Sequence, residues 1–333
     1  MARFTVVTTD YTSPDLHAYA DELGQAGAVL VPAQCTTEAE LIAAVRQADG
    51  VIHEYCRLTR PVIERLERCR VIAHHGIGVD KIDVAAATEH GICVANVTDA
   101  SLDETSDHLL GMILASARRF FALDRAVRQG AWHYQSAGPL HQVRGQVLSF
   151  VGFGRIPRLV CRKAESLGLR YLAYARRPSE ALAREFGVEF ASLDTVLSAA
   201  DILSVNLPFT RETRHFIGAA ELARLKPTAY VINISRGAVI DEGALIAALE
   251  AGRVAGAALD VFEREPLDPV SPLVRMANVL LTPHCAWYSE EAKEDVERKT
   301  ARQVVRVLQG GWPDPFVNPD VRERYLTRWA GRD

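Results

Sequence analysis

The sequence predicts an α/β protein with two domains, each built on a parallel sheet, and three observations lead to this fold class. Short β-branched runs alternate with longer amphipathic stretches, as in repeated βαβ units. The 333 residues suffice for two domains of roughly 100–200 residues each. An apolar fraction of 48% and a charged fraction of 24% are typical of a globular chain that buries a sizeable core.

Eleven short runs rich in β-branched and apolar residues are predicted as strands. They cover residues 4–8, 28–31, 50–53, 71–73, 92–95, 147–151, 171–174, 202–205, 230–234, 257–260 and 279–281. Two helices stand out between them, 101–129 and 241–252, each ended by a glycine. Because parallel strands need long crossover connections, the alternation predicts sheets with helices on both faces.

Charge and cysteine content exclude several classes of protein. The chain carries 42 acidic and 38 basic residues, a formal net charge of −4, which does not predict a nucleic-acid-binding surface. No apolar run reaches the ~18 residues of a membrane span, and the start of the chain is too polar for a secretory signal. The six cysteines form no CxxC pair, so we expect reduced thiols in a cytoplasmic protein that binds no membrane.

A glycine-rich turn follows the predicted strand 147–151 and precedes a helical stretch. Gly152 permits a tight turn, and Gly154 lets backbone N–H groups approach a pyrophosphate at the helix N-terminus. The third position of the pattern holds Pro157 rather than glycine or alanine, which the first turn of a helix tolerates. Strand, turn and helix in this order predict a dinucleotide site, and the alternative is an ordinary strand–helix turn.

The end of the next strand predicts which dinucleotide binds. An acidic residue there would bind the ribose 2′-hydroxyl of NAD, but the sequence reads Tyr174-Ala175-Arg176-Arg177. Because a guanidinium group suits a 2′-phosphate, Arg176 and Arg177 favour NADP over NAD. The alternative is that both arginines face solvent and that backbone groups bind the ribose.

Four further blocks follow one another along the chain. They read HGIGVD at 75–80, VINISRG at 231–237, LDVFEREP at 259–266 and TPH at 282–284. Together they make residues 74–292 resemble the D-isomer-specific 2-hydroxyacid dehydrogenase family, whose members use NAD or NADP.

Two shorter blocks narrow this resemblance. SLDET at 101–105 and HCAWYSE at 284–290 resemble the branch that contains the C-terminal-binding-protein corepressors and phosphoglycerate dehydrogenase-like enzymes. This likeness leaves a second hypothesis open, a dinucleotide-sensing dimeric scaffold for which turnover is unimportant. A nicotinamide enzyme that acts on phosphite or formate is a third hypothesis, which no residue favours.

The resemblance implies a catalytic set of three residues. Reduction of a 2-oxoacid needs a cation for the carboxylate and carbonyl oxygens, and an acid that protonates the developing alkoxide. Arg236 is the expected cation, and His284 is the expected acid–base group because an unperturbed imidazole titrates near neutral pH. Glu265 is expected to pair with His284 and to fix its orientation.

The resemblance also implies a substrate-binding loop. Gly76, Ile77 and Gly78 would offer backbone N–H groups to the substrate carboxylate, while His74 stands where the family often has arginine. Trp287 matches a tryptophan of the substrate pocket in the corepressor branch, and a core aromatic is its alternative interpretation. No Cys, Asp or Glu lies at ligand spacing from the histidine pair at 74 and 75, so we expect no metal site.

Further cofactor contacts follow from the same resemblance. Arg155 and Ile156 are expected to cap the phosphate loop, and Pro208 to cover the adenosine or ribose. Asp260 is expected to bind the nicotinamide carboxamide, and an ordinary strand end is the alternative for this residue.

The family organisation implies how the chain divides and what it does. A flavodoxin-like substrate-binding domain would comprise 1–98 plus 288–333, a Rossmann domain of 99–287 would bind NAD(P), and the active site would lie in the cleft between them. The helix predicted at 101–129 is a dimer element in the family, so we expect a homodimer. The predicted activity is hydride transfer between nicotinamide and C2 of a D-2-hydroxyacid or 2-oxoacid, such as phosphoglycerate, glyoxylate or hydroxypyruvate.

Overall fold

The computed structural model describes residues 3–330, and twelve strands and fourteen α-helices lie within them. The strands are β1 (Phe4–Thr8), β2 (Ala28–Pro32), β3 (Gly50–His53), β4 (Val71–His74), β5 (Cys93–Ala95), β6 (Val147–Val151), β7 (Arg170–Tyr174), β8 (Val188–Phe190), β9 (Ile202–Val205), β10 (Tyr230–Asn233), β11 (Gly256–Leu259) and β12 (Val279–Leu281). The helices are α1 (His17–Gly24), α2 (Glu38–Val45), α3 (Arg60–Ile63), α4 (Val84–Glu89), α5 (Leu102–Ala117), α6 (Phe120–Arg128), α7 (Arg155–Lys163), α8 (Glu180–Phe186), α9 (Leu193–Ala199), α10 (Ala219–Leu222), α11 (Glu242–Glu250), α12 (Pro272–Arg275), α13 (Glu290–Leu308) and α14 (Arg322–Trp329).

The chain divides into two compact units. Unit 1 joins the chain up to Ser101 to the chain from Ser289, and unit 2 is the continuous segment Leu102–Tyr288. Each unit has one parallel sheet, which confirms the predicted α/β class. The predicted assignment of one domain to substrate and the other to cofactor stays a prediction at this point.

Unit 1 has a five-stranded sheet in the order β2-β1-β3-β4-β5. The order reverses between β1 and β3, so the crevice where open α/β sheets bind ligands lies beyond the carboxyl ends of these two strands. One apolar cluster, with residues of α1 and α13, covers one face of the sheet, and a second cluster, with residues of α2, α3 and α4, covers the other. Burial on both faces explains why these strands read as continuous apolar runs.

Unit 2 has a seven-stranded sheet in the order β12-β11-β10-β9-β6-β7-β8. Here the order reverses between β6 and β9, and the glycine-rich turn follows β6 directly. Apolar clusters again cover both faces, one with residues of α9 and α11 and the other with residues of α5 and α7. The carboxyl ends of β10, β11 and β12 are neighbours at one edge of this sheet, which brings together three of the motif blocks.

Two elements differ from the sequence predictions. The helix predicted over 101–129 is wrong as one helix, because α5 ends at Ala117 and Arg119 takes a left-handed conformation (φ 52°) before α6 begins. The guanidinium of Arg119 donates to the carbonyl of Ala137, a contact with a later segment that an apolar pattern does not contain. Strand β8 was not predicted, since it has three residues and pairs on one side only.

Within the part of the chain that the structure describes, we find no helix that combines the length and the apolarity required to cross a membrane.

Candidate active site

Arg236, Glu265 and His284 follow three neighbouring strands of the unit 2 sheet. Arg236 comes three residues after β10, Glu265 lies in the segment after β11, and His284 comes three residues after β12. Because the strands are parallel, their carboxyl ends meet at one edge of the sheet, which is where open α/β sheets place ligands.

His284 and Glu265 form a hydrogen-bonded pair. Nδ1 of His284 lies 2.8 Å from Oε2 of Glu265, and about a quarter of each side chain (27%) is exposed. The second carboxylate oxygen of Glu265 accepts the backbone N–H of Phe262 at 3.1 Å, so this carboxylate is held from two sides. With its Nδ1 hydrogen directed to Glu265, the imidazole presents Nε2 as the atom that can exchange a proton with a ligand.

Asp260 holds the segment that carries His284. Its carboxylate accepts the hydroxyl of Thr282 at 2.6 Å and the backbone N–H groups of Cys285 at 2.9 Å and Ala286 at 3.0 Å. Its backbone carbonyl accepts the N–H of His284 at 2.8 Å, and this network supports the left-handed conformation of that residue (φ 52°). Asp260 is fully buried, so the structure gives it an anchoring function, and its contact with a nicotinamide carboxamide stays a prediction.

Residues at and just after the end of β10 hold Arg236 in place. The side-chain amide of Asn233 donates to the carbonyl of Arg236 at 2.9 Å, and the guanidinium donates to the carbonyl of Ser235 at 2.9 Å. Gly237 packs so closely on the backbone after β11 that a Cβ atom there would lie 1.9 Å from the carbonyl carbon of Phe262. Only glycine allows this approach, which ties the Arg236 segment to the segment that leads to Glu265.

The glycine-rich turn has the shape that a pyrophosphate requires. Gly152 has φ 91°, and a Cβ atom there would lie 2.5 Å from the carbonyl oxygen of Asn206, beside the end of β9. Gly154 begins α7 in extended conformation, without a side-chain cap and with open space around its Cα. The first amides of α7 are therefore available to an anion, and Pro157 lies in that first turn, buried.

The other predicted cofactor residues surround the same sheet edge. Arg155 is exposed and Ile156 is half-buried at the start of α7. Arg176 and Arg177 follow β7 and are exposed. Pro208 is exposed after β9, where its carbonyl accepts the Thr213 hydroxyl at 2.7 Å. The residues present therefore fit a dinucleotide at the point where the strand order reverses, between β6 and β9.

The predicted substrate loop lies in unit 1, after β4. The carbonyl of Gly76 accepts the N–H of Val97 at 2.9 Å, and the carbonyl of Ile77 accepts the Asn96 amide at 2.6 Å. The N–H of Gly76 donates to the carbonyl of His74 at 3.0 Å within the loop, and its contact with a substrate stays a prediction. Among the described residues, the N–H groups of Ile77 and Gly78 have no such acceptor.

His74 and Trp287 take different environments. His74 is buried, and its ring lies 4.7 Å from the ring of His53. Its Nε2 lies 3.3 Å from the place where a Cβ atom of Gly76 would stand, so it packs beneath the loop. Trp287 is half-buried and makes an edge contact with Tyr288, with ring centroids 5.7 Å apart. Their contacts with a substrate stay predictions.

One group of possible metal ligands comes together that sequence spacing did not indicate. Ligand atoms of His108, Asp260 and Cys285 lie within 4.8 Å of one another. Nε2 of His108 lies 3.1 Å from the hydroxyl of Thr282, which itself donates to Asp260, so these groups already satisfy each other. Burial, and then the charge of Asp260, raise the pKa of the Cys285 thiol, which disfavours the thiolate that a metal would bind.

Sequence analysis missed a buried polar cluster in unit 1. It comprises Asp10, Tyr19, His53, Glu54 and His75, and we call it the switch-point cluster because it lies where β1 and β3 end. The sequence offered one signal for this cluster, the polar residues Asp10 and Glu54 shortly after two predicted strands, and no motif connected these residues.

Comparisons with known proteins show which proteins the chain is similar to. Residues 110–286 match the NAD-binding domain of D-isomer specific 2-hydroxyacid dehydrogenases. A glyoxylate reductase from Korarchaeum cryptofilum is 38% identical over 290 residues, which cover 84% of this chain and 86% of that protein. A D-3-phosphoglycerate dehydrogenase from Methanocaldococcus jannaschii is 34% identical over 324 residues, which cover 96% of this chain and 61% of that protein.

A solved structure extends the likeness to the whole fold. The D-lactate dehydrogenase of Aquifex aeolicus, complexed with NAD and lactic acid, superposes with a TM-score of 0.82 at 26% identity. The match covers 92% of this chain and 96% of that one. The described strands and helices therefore form the same fold as this dehydrogenase, which binds NAD and lactic acid.

Proposed function

Because the chain belongs to the D-isomer specific 2-hydroxyacid dehydrogenase family and is a nicotinamide-dependent 2-hydroxyacid oxidoreductase, we propose that it reduces a small 2-oxoacid through Arg236, Glu265 and His284. The observation that carries this assignment is the His284–Glu265 hydrogen bond of 2.8 Å at the sheet edge that also presents Arg236. Glyoxylate and its small relatives are the first candidates, since similar proteins are named glyoxylate reductases.

Each residue of the set has a distinct task. The Arg236 guanidinium binds the substrate carboxylate and polarises the carbonyl oxygen, because its planar fork can contact both oxygens. Nε2 of His284 gives its proton to the alkoxide oxygen as the carbonyl carbon is reduced. Glu265 compensates the positive charge of the imidazolium and keeps the ring oriented. A bound reduced nicotinamide supplies the hydride, so that a 2-oxoacid, a hydride and a proton give a 2-hydroxyacid.

We propose NADPH as the preferred cofactor. Support comes from Arg176 and Arg177, which follow β7 where an acidic residue would favour NAD, and which are exposed to a ligand. Glu212, whose pKa is lowered by hydrogen bonds from Thr210 and its own backbone and then by Arg176 and Arg211, adds one opposing charge nearby. The arginines outnumber this carboxylate, so the net local charge suits a 2′-phosphate.

We propose that Ile77 and Gly78 of unit 1 bind the substrate carboxylate through their N–H groups. Asn96 and Val97 hold the carbonyl groups of this loop, which supports a fixed orientation of its N–H groups. Two adjacent N–H groups form a small anion site of the kind that recognises a single carboxylate.

We also propose a homodimer in which α6 and the segment after it form the contact. Phe120, Val127, Trp132 and Tyr134 have exposed fractions of 57%, 50%, 88% and 77%, which is unusual for large apolar side chains that do not meet a partner. Sedimentation equilibrium of the parent and of a Trp132→Ser, Phe120→Ser variant tests this point: a parent dimer and a variant monomer are expected, and a monomeric parent would contradict it.

The experiment for the proposed reaction measures the oxidation of NADPH and NADH, side by side, against a panel of 2-oxoacids. We expect turnover of glyoxylate or hydroxypyruvate, with a higher kcat/KM for NADPH. Preference for NADH would overturn the assignment of Arg176 and Arg177 alone. Absence of turnover with every 2-oxoacid, despite measurable binding of a dinucleotide, would overturn the reaction and favour the scaffold hypothesis.

A further inference from the structure

The switch-point cluster of unit 1 holds titratable groups that the proposed reaction does not use. Its members lie beyond the carboxyl ends of β1, β3 and β4, the edge at which a parallel sheet binds ligands. Asp10 follows β1, His53 ends β3, Glu54 comes directly after it, and His75 follows β4. Tyr19 reaches the same place from α1 and is fully buried.

Asp10 is the charged member of the cluster. Its carboxylate accepts the backbone N–H groups of Glu54 at 3.1 Å, Tyr55 at 2.5 Å and Cys56 at 3.0 Å, and also the Thr9 hydroxyl at 2.7 Å. Burial alone would raise the pKa of Asp10, but these hydrogen bonds outweigh it and lower that pKa. A charged Asp10 therefore fixes the backbone at Glu54.

Glu54 has a different environment only one residue beyond β3. Its side chain is 5% exposed, Oε2 accepts the Thr12 hydroxyl at 3.3 Å, and Oε1 lies 3.8 Å from Nδ1 of His75. Among the described residues no lysine or arginine forms an ion pair with it. Burial, and then the charge of Asp10, raise the pKa of Glu54 to about 8.

Tyr19 sets the hydrogen-bonding state of His75. The Tyr19 hydroxyl lies 2.5 Å from Nδ1 of His75. Burial lowers the pKa of His75 to about 3 and raises that of Tyr19 well above its usual value, so both groups are neutral. The hydroxyl and Nδ1 therefore share a hydrogen bond between two neutral groups, and this bond occupies the ring nitrogen that lies nearest Glu54.

His75 connects this cluster to the loop that is proposed to bind the substrate carboxylate. It immediately precedes Gly76, and its backbone N–H donates to the carbonyl of His53 at 2.9 Å. The loop carbonyls of Gly76 and Ile77 accept hydrogen bonds from Val97 and Asn96, which hold the segment 76–78 next to His75.

The charged and titratable groups that face the Glu54–His75 pair come from every surrounding element. They are Asp10 after β1, Tyr19 on α1, His53 on β3, and Lys293 and Glu297 on α13. Burial raises the pKa of Glu297, and Lys293, the one cation in this group, lies toward the surface of α13.

We propose that Glu54 is a specificity-determining residue of the substrate site: its charge, held beside His75, sets the affinity of the segment 76–78 for an anionic substrate. The proposal rests on the reaction proposed above and deepens it. With Glu54 protonated, the sheet edge carries one buried negative charge, which the donors around Asp10 already compensate. Ionisation of Glu54 adds a second negative charge beside the loop, and this charge repels the substrate carboxylate.

The consequence is a loss of substrate affinity at alkaline pH. Above about pH 8 the KM for the 2-oxoacid is expected to rise by about tenfold. The reason is that the carboxylate of Glu54 and the carboxylate of the substrate repel each other strongly in a partly buried site. The KM for the dinucleotide is measured beside it and is expected to stay constant, because the proposed contact of the segment 76–78 is with the carboxylate of the 2-oxoacid alone.

The test compares the parent with Glu54→Gln, which resembles the protonated side chain in shape and cannot ionise. The ratio of parent KM to variant KM for the 2-oxoacid is measured from about pH 6 to about pH 9.5. Ionisation of His284 affects both proteins and cancels in the ratio. We expect a ratio that rises about tenfold around pH 8, and a ratio that stays constant across this range would overturn the proposal.

Two further variants complete the experiment. Glu297→Gln removes another buried carboxyl group of unit 1, whose charge helps to raise the pKa of Glu54, so this variant is expected to keep the alkaline rise of KM at a slightly lower pH. Tyr19→Phe removes the hydrogen-bond partner of Nδ1, so that protonated Glu54 can donate there and the rise moves to higher pH. A rise at the parent's pH would overturn the proposal even if Glu54→Gln fails to fold. If the parent has no turnover at neutral pH, the proposed reaction fails instead, and the two failures are thereby distinguished.

Discussion

The two sheets of this protein use buried carboxyl groups in different ways at the same kind of edge. In unit 2, Asp260 accepts three hydrogen bonds from the segment 282–286 and thereby holds His284 in a left-handed conformation. In unit 1, Asp10 is satisfied in the same manner, but the donors to Glu54 come from Thr12 alone, and a neutral imidazole lies beside it.

This difference separates groups that position the chemistry from groups that respond to pH. A carboxylate surrounded by donors stays charged, so it can fix a loop over a wide pH range. A buried carboxyl group with few donors stays protonated until the solution becomes alkaline. The proposed acid–base pair needs the first arrangement, and the proposed loop for the substrate carboxylate lies next to the second.

The largest expected effect comes from the unit 2 edge. Arg236→Gln keeps a polar side chain that can donate hydrogen bonds but removes the cation, and we expect kcat/KM for the 2-oxoacid to fall by roughly a thousandfold or more. Binding of NADPH, followed by fluorescence titration, should not change. Arg264→Gln is the matched control, because Arg264 is exposed in the segment before Glu265, and its kcat/KM should stay near that of the parent. Similar losses in both variants would contradict the assignment.

A smaller loss is expected from Gly237→Ala. The new methyl group would lie 1.9 Å from a backbone atom of Phe262, so the segments of Arg236 and Glu265 must move apart. We expect kcat to fall by about a hundredfold, since a shift of about 1 Å in a catalytic group has costs of this size. Gly243→Ala, where the Cβ atom would stand 3.4 Å from Asp241, is the control and should be tolerated. Parent-like kcat in Gly237→Ala would show that the two segments need not be held together.

Substitution of the two arginines after β7 is expected to have an intermediate effect, on the affinity for the cofactor. In a variant with Arg176→Ser and Arg177→Ser, the KM for NADPH is expected to rise by about thirtyfold, the equivalent of one charge-assisted hydrogen bond or ion pair. The KM for NADH should stay the same or fall. Parallel changes for both dinucleotides would contradict a contact with the 2′-phosphate.

The smallest effect concerns stability and tests the unit 1 edge. Burial lowers the pKa of His53 to about 4, below the value of about 6.5 in an unfolded chain, so the unfolded state binds a proton first as the pH falls. From about pH 7 to about pH 5 the parent should lose about 2 kcal/mol of unfolding free energy that His53→Leu does not lose.

Urea unfolding at the two pH values measures this difference. His17→Gln is the control: Asp15 raises the pKa of His17, which is exposed, so its contribution has the opposite sign and is small. An equal pH dependence in the parent and in His53→Leu would contradict the interpretation that buried histidines of the switch-point cluster stay neutral.

The sequence predicted the strands well because burial on both faces leaves a local signal. β6 and β10 read as unbroken apolar runs, and their bounds agree with the structure within a residue. β8 lacked this signal, since an edge strand of three residues with Glu189 at its centre resembles a loop. The break between α5 and α6 comes at Arg119, whose guanidinium contacts a segment almost twenty residues later, and no helical pattern contains such a contact.

The features of the candidate site also divide into those that the sequence indicated and those that it did not. Arg236, Glu265 and His284 belong to contiguous blocks, so the sequence alone indicated them. The anchoring hydrogen bonds of Asp260, the internal use of the Gly76 N–H and the approach of Glu54 to His75 depend on strand order and loop conformation. These features arise from segments that meet only after the sheet forms.

The most direct test of the central claim compares the parent with His284→Asn in the presence of NADPH and the 2-oxoacid that the panel identifies. The claim is that an imidazole held by Glu265 supplies the proton. We predict turnover that is roughly a thousandfold lower in the variant, with unchanged NADPH affinity, and a D-2-hydroxyacid as the product of the parent. Equal turnover in the two proteins, or an L-2-hydroxyacid product, would contradict the account.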